Sequence, residues 1–184
     1  MFEPMTIENN KLKETLVLGA SLPSEVFHHK FDRHLFFDID ISTSDELMLA
    51  VQKVVRGCFG LDGRVEVYSA LGYESLGQFC IAEDWVPHIM RCEKTLRNAG
   101  IHDGLILIDA SKQWILYQPC PVDLGIFAFN SQVRVEEILS DVYDYFFSCE
   151  DIKNWISQKT VRDAALVSSF GLEFLTLLVK NYCR

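Results

Sequence analysis

Between Val135 and Asp151 the chain reads VEEILSDVYDYFFSCED and contains no lysine or arginine. An exposed helix there would lack the i,i+4 ion pairs that ordinarily support it. Bases are also scarce over the whole chain, with 17 against 26 acids in 184 residues and a formal net charge of -9. A direct nucleic-acid binder would show a basic patch, so nucleic-acid contact is not expected. Long apolar runs are missing too. The greasiest stretch, Ala164 to Val179, has 16 residues and contains Glu173. A membrane-spanning helix needs about 20, which favours a buried helix instead.

The signatures of several chemistries are also absent. Cys58, Cys80, Cys92, Cys120, Cys149 and Cys183 include no C-x-x-C pair and no dense framework. The first ten residues carry two acids, no base and no apolar run, unlike a secretory signal. Reduced thiols and a cytoplasmic location are therefore expected. Cys80, Cys92 or Cys120 could act as a nucleophile beside a histidine, but no local signature marks one, and small buried side chains are the simpler reading. Gly72 and Gly77 are not followed by the Lys-Ser or Lys-Thr of a phosphate loop, and no G-x-S-x-G elbow occurs.

What remains is an ordinary globular composition, 49% apolar and 23% charged, with no internal repeat or low-complexity linker. A single domain over 1–184 is expected. It would comprise an N-terminal helix and irregular segment over 1–34, an α/β core over 35–130 and C-terminal helices over 131–184. Alternation in LFFDIDI predicts a strand from Leu35 to Ile41. Thr43-Ser-Asp-Glu46 fits a capping box. Leu47, Ala50, Val51, Val54 and Cys58 then form a helical stripe that stops near Gly60. A second strand is expected over Arg64 to Ala70, and a second helix over Asp84 to Ala99 with Pro87 in its first turn.

Three strands follow in quick succession, over Leu105 to Asp109, Gln113 to Gln118 and Leu124 to Phe129. Their short connections favour an antiparallel meander. Helices are predicted over Val135 to Phe147, Asp151 to Ser157 and Val161 to Lys180. The fold class is thus α+β: a mostly antiparallel five-stranded sheet, β-α-β-α-β-β-β, with helices on one side and a helical C-terminal part.

Asp38 and Asp40 are the first chemical candidates. An apolar strand ending in D-x-D resembles the nucleophile motif of haloacid-dehalogenase-type phosphatases, in which one Asp attacks phosphorus and the next handles a proton. Here Ile41-Ser42 stands where Gly-Thr normally follows, and an antiparallel meander replaces the parallel strands of that fold. A solvated strand face is the preferred reading. His28, His29 and His34 flank Asp32 in an irregular segment, where a polar loop is expected over a metal site. His88, Arg91, Lys94 and Arg97 recur every three residues, as on the wet side of an amphipathic helix.

The acidic segment is the strongest candidate. Val135, Ile138, Leu139, Val142 and Phe146 would face the core. Four aromatics in five residues, Tyr143 to Phe147, cannot all share that face. At least one ring should be exposed or should contact the next helix. Acid with tyrosine suits recognition of a basic protein.

The meander GLILIDASKQWILYQPCPVDLGIFAFN, Gly104 to Asn130, resembles that of bacterial toxin-immunity proteins, especially those paired with contact-dependent growth-inhibition toxins. The features carrying the resemblance are a buried strand ending in Asp109, a short turn, a Trp114 to Tyr117 strand and a third apolar strand. It implies a small cytoplasmic, non-catalytic protein that covers the active site or substrate-binding surface of a basic toxin domain, such as a nuclease. No catalytic residue, cofactor or metal is then expected, and no membrane. Charge and exposure nominate Glu137, Asp141, Asp144, Glu150 and Asp151 as partner contacts, with Tyr145 as an aromatic anchor and Asp38 and Asp40 as a second patch. The alternatives are a phosphatase-like hydrolase using Asp38 and Asp40, and a non-catalytic adaptor module.

Overall fold

A computed structural model describes residues 8–119, 124–132 and 135–183, with side chains from Leu12 onward. Cys120 lies outside the described residues. In chain order the elements are α1 (Glu8–Thr15), β1 (Arg33–Phe37), α2 (Asp45–Phe59), β2 (Arg64–Ser69), β3 (Ser75–Cys80), α3 (Trp85–Asn98), β4 (Leu105–Asp109), β5 (Trp114–Gln118), β6 (Gly125–Phe129), α4 (Val135–Ser140), a 3-10 turn (Tyr143–Tyr145), α5 (Cys149–Ile156), α6 (Val161–Phe170) and α7 (Leu172–Tyr182). The class is α+β. The strands form one sheet in the order β1-β6-β5-β4-β2-β3, and every neighbouring pair is antiparallel. Among the described residues, no helix is long and apolar enough to cross a membrane.

The sheet has six strands, not the expected five. β3 carries almost no alternation: only Phe79 is buried along Ser75–Cys80. A register shift opposite Val67 and Tyr68 also interrupts its pairing with β2. A bulged, mostly solvated edge strand leaves no period-2 signal in the sequence. The hairpin is closed by Ser69, whose hydroxyl accepts from the Glu74 N–H at 3.1 Å and whose N–H donates to the Glu74 carbonyl at 2.9 Å.

Helices cover both faces of the sheet, not one. Leu35, Phe37, Val65, Val67, Leu107, Trp114, Leu116, Phe127 and Phe129 pack with residues of α2, α3 and α4. Phe36, Tyr68, Ile106, Ile108, Ile115, Tyr117, Ile126 and Ala128 pack with α1, α5, α6 and α7. Every residue of β4, β5 and β6 is buried. Strands covered on both faces read as continuous apolar runs, as LILI does. Across β1 and β6, the Phe37 ring lies over Gly125, where an added Cβ would sit 2.2 Å from it. At the start of β4, a Cβ on Gly104 would strike the Gln118 carbonyl oxygen at 1.7 Å.

β1 stops at Phe37, short of the expected Ile41. Asp40 makes a turn, its carboxylate accepting from the Ser42 N–H at 2.8 Å and from the Ser42 hydroxyl at 2.7 Å. The buried Gln118 side chain then substitutes for a strand. It donates to the Ile39 carbonyl and accepts from the Ile41 N–H, each at 2.9 Å. The cap of α2 is Ser44, one residue beyond the expected Thr43, and its hydroxyl accepts from the Leu47 N–H at 3.1 Å. α3 starts at Trp85, one residue after the expected Asp84, which serves as its cap and accepts from the Val86 N–H at 3.2 Å. The expected helix from Val161 to Lys180 is divided between α6 and α7 at Gly171, whose φ of 90° is open to glycine but costly to other residues.

The β4–β5 hairpin is organised by Asp109. One carboxylate oxygen accepts from the N–H groups of Gln113 and Trp114 at 2.8 and 3.1 Å, and the other from the Ser111 N–H at 3.0 Å and the Ser111 hydroxyl. The expectation that all thiols are reduced fails at one pair, because Cys149 is disulfide-bonded to Cys183. Widely spaced cysteines carry no sign in the sequence that folding will place them side by side.

Candidate partner-binding surface

The acidic segment is not one helix. α4 ends at Ser140, a 3-10 turn covers Tyr143–Tyr145, and Phe147 pairs with Phe36 in an isolated antiparallel bridge. The reason lies in the aromatics. Phe146 is buried against Phe37 and Phe127, with ring centroids 6.5 and 6.0 Å away, in the α2–α4 layer. Its neighbour Phe147 enters the opposite layer and meets Trp155 of α5 edge-on at 4.8 Å. Successive side chains point to opposite sides only in extended chain, so helix cannot continue through this pair. Phe147 and Phe36 exchange both backbone hydrogen bonds, at 2.7 and 2.8 Å, which closes the outer edge of β1.

The apolar side of α4 is as expected. Val135, Leu139 and Val142 are buried, and Ile138 sits so close to Gly57 of α2 that a Cβ there would lie 2.5 Å from its Cδ1. Of the four clustered rings, Tyr143 is the exposed one, at 46%. Tyr145 is half-buried against the α2–α4 core. Phe147 supplies the contact with the following helix.

Bases absent from the segment arrive from distant parts of the chain. Lys53 of α2 pairs with Asp141 at 2.8 Å, and Arg33 of β1 pairs with Glu136. Asp141 is held below the usual carboxylate value, first by the hydrogen bond from Lys53 and then by its charge. The cationic stripe of α3 is not the partner. His88 bonds Glu83 at 2.8 Å and stacks on Phe79, while Arg97 pairs with Glu93.

Asp151 has a structural task. With Ser148 it forms the capping box of α5, accepting from the Ser148 N–H at 2.7 Å, and the Tyr143 hydroxyl donates to it at 2.6 Å. Burial pushes this carboxyl up, but the bonds from Ser148 and Tyr143 outweigh it and the net shift is downward. Tyr143 is raised, chiefly by that same bond. Glu137, Asp144 and Glu150 are exposed, and no ion pair among the described residues involves them.

Of these, Asp144 lines a groove of about 290 Å³, together with Tyr143, Phe146, Phe147, Asp151, Trp155, Arg162 and Asp163. Trp155 stacks on Phe170 at 6.2 Å. Asp163 belongs to a second capping box, with Thr160 at the start of α6. The groove thus has an aromatic lining, three carboxylates and one guanidinium. Trp155, Arg162 and Asp163 were not foreseen as site residues. The S-x-x-D and T-x-x-D boxes starting α5 and α6 are legible in the sequence, but not that the two helix starts meet.

The other candidates lie elsewhere. Asp38 is exposed past the end of β1, and Asp40 is committed to its turn, so they do not share a strand face as the phosphatase-like reading required. Asp40 lines a cleft of about 240 Å³ with Ser42, Glu93, His102, Asp103 and Gln118. His28, His29, His34 and Asp32 line another of about 160 Å³. Among the described residues, no three His, Cys, Asp or Glu side chains are arranged to hold a metal. Burial drives His34 down to about 4, against hydrogen bonding to the Tyr182 backbone and the charge of Asp32. Burial raises the Cys58 and Cys92 thiols, and Cys80 is raised chiefly by its hydrogen bond to Glu83, all unfavourable to nucleophilic thiolates. No family model, curated protein or solved structure matches the chain.

Proposed function

We propose that the chain is a non-catalytic binding protein that docks a basic protein domain, in the manner of an immunity protein neutralising a toxin domain such as a nuclease. The observation that carries this reading is the groove between the 3-10 turn and the starts of α5 and α6. Aromatic faces beside carboxylates suit the ammonium or guanidinium of a lysine or arginine, through cation–π and ionic attraction together. Asp144 and Glu150 supply carboxylates outside any ion pair among the described residues, Tyr143 supplies an exposed ring, and Glu137 extends the acidic surface along α4. Asp141 keeps a share of its field despite Lys53. Tyr145 supports the turn from beneath.

The net charge of -9 adds long-range attraction for a basic partner and speeds encounter at low salt. A nuclease domain is a fitting target because it must itself attract phosphates. Asp38 and Asp40 belong to this reading as a second acidic patch.

The test is coexpression with the toxin domain encoded beside this chain, if one is present, followed by binding kinetics. Growth rescue by the native chain supports the proposal. Asp144→Lys with Glu150→Lys should slow association about tenfold and flatten its salt dependence. Undiminished binding by that variant would remove this surface from the interface. Native purification yielding several acidic or neutral partners would favour the adaptor reading.

A further inference from the structure

The last turn of α7 is fastened in two ways. Cys183 is bonded to Cys149, the first residue of α5, across 34 positions. The adjacent Tyr182 is buried. Its hydroxyl accepts from the Val26 N–H at 2.9 Å and donates to the Ser24 carbonyl at 2.5 Å. The Asn181 amide donates to the Pro23 carbonyl at 2.7 Å. Cys149 stands between two parts of the docking surface. Before it is Phe147, paired with Phe36, and around it is the Ser148–Asp151 capping box with the Tyr143 hydroxyl. Both half-cystines are only partly covered.

We infer that the Cys149–Cys183 bond is a redox clamp that holds the acidic docking surface in its binding geometry. Its reductant is an external dithiol. One thiolate attacks one sulfur of the bond to form a mixed disulfide and releases the other cysteine as a thiolate, which takes a proton. The second external thiol then displaces the remaining cysteine, leaving two protein thiols and one external disulfide. Two electrons and two protons reach the chain. With the covalent tie gone, the start of α5 depends on its capping box, the Phe147 bridge and local packing. The end of α7 depends on Asn181 and Tyr182. Helix ends that lose a covalent tie open locally more readily than the buried turns between them, and opening here displaces Glu150 and Asp151. The clamp itself rests on the bond and its neighbours; its effect on binding rests on the docking role proposed above.

The experiment compares hydrogen exchange of the intact chain, oxidised and after dithiothreitol, with Cys149→Ser/Cys183→Ser as a third sample. Reduction should speed exchange about tenfold over 148–156 and 179–183 while α2 and α3 keep their protection. The double variant should match the reduced chain and ignore dithiothreitol. Unchanged exchange, or equal acceleration throughout, overturns the clamp. In parallel, an arginine-rich peptide should bind the oxidised chain about tenfold more tightly than the reduced one. Equal affinity in both states overturns the link to docking. If the peptide binds neither state while the exchange difference persists, the docking reading fails and the clamp stands.

Discussion

The layer of α2, α3 and α4 and the layer of α1, α5, α6 and α7 cover the same sheet, but different means fasten them. The first has helices of 15 and 14 residues, each started by one capping side chain, beside the 6-residue α4. It is held by dense apolar packing around the stacked indoles of Trp85 and Trp114, 5.6 Å apart. The second uses helices of 8 to 11 residues, two capping boxes, a disulfide and polar clips from Asn181 and Tyr182. Short helices gain little from their own backbone and depend on such fixings. The comparison teaches where opening can happen. Both layers bury apolar surface against the sheet, but the second adds fixings that can each be released by themselves. The groove lies at the start of α5 and α6, in the releasable layer.

The largest expected effect comes from the first layer. Trp114→Ala removes a fully buried indole between Trp85 and Phe127. It should cost about 3–5 kcal/mol in urea unfolding, lost from the global transition. If Trp114→Ala left the global midpoint in place and loosened only a local element, the contrast between the layers would collapse. Next comes the disulfide. Closing a 34-residue loop is worth up to about 4 kcal/mol on the chain-entropy model. Reduction should therefore lower the melting temperature by about 10 °C in calorimetry.

His34 brings pH into the second layer. Its ring meets Tyr182 edge-on at 5.4 Å, and its folded value of about 4 lies below the ordinary 6.5 because burial disfavours the imidazolium. The unfolded chain thus binds the proton first as acid is added. The stability His34 contributes is fully present above pH 6.5 and is lost as pH falls through 4. The loss approaches about 3 kcal/mol. His34→Gln should flatten the profile between pH 6.5 and 4, as read by denaturation at each pH. An unchanged slope would place the acid sensitivity elsewhere.

The two layers also differ in how far the sequence disclosed them. β4, β5 and β6 are continuous apolar runs with short connections, and α3 has Asp84 before it and Pro87 in its first turn, so local signals sufficed. β1 was overextended because what ends it is remote. The amide of Gln118 satisfies Ile39 and Ile41, which lie 79 and 77 residues away. The acidic segment kept a helical apolar pattern up to Phe146, and only the need of Phe146 and Phe147 to enter opposite layers broke it. Of the site, the acids and clustered rings were legible. The pairing of Asp141 with Lys53 and of Glu136 with Arg33, the meeting of the α5 and α6 starts, and the Cys149–Cys183 bond all depend on tertiary placement.

Within the first layer, the stacked indoles offer a finer test. The Trp85 Nε1–H donates to the Ile81 carbonyl at 3.1 Å, whereas the buried Trp114 Nε1–H has no partner among the described residues. Trp85→Phe loses ring volume and one of the two bonds to the Ile81 carbonyl, which keeps the Arg56 Nε–H at 3.1 Å. Trp114→Phe loses the same volume but removes a donor that burial had already penalised. Trp114→Phe should therefore be the milder change by about 1 kcal/mol. Equal costs would mean that volume alone governs this core.

The smallest effect on stability, and the clearest on charge, belongs to Lys53→Ala. Both partners of the Lys53–Asp141 pair are more than half exposed, so solvent competes for them and the melting temperature should stay where it is. The substitution nevertheless removes the base that shields Asp141 beside Glu137 and Asp144. If this surface steers a basic partner, Lys53→Ala should raise the association rate about twofold at low salt, with the gain fading as salt is added. A decrease in that rate would show Lys53 itself to be a contact and move the interface toward α2. A salt-independent change would point to packing instead of steering.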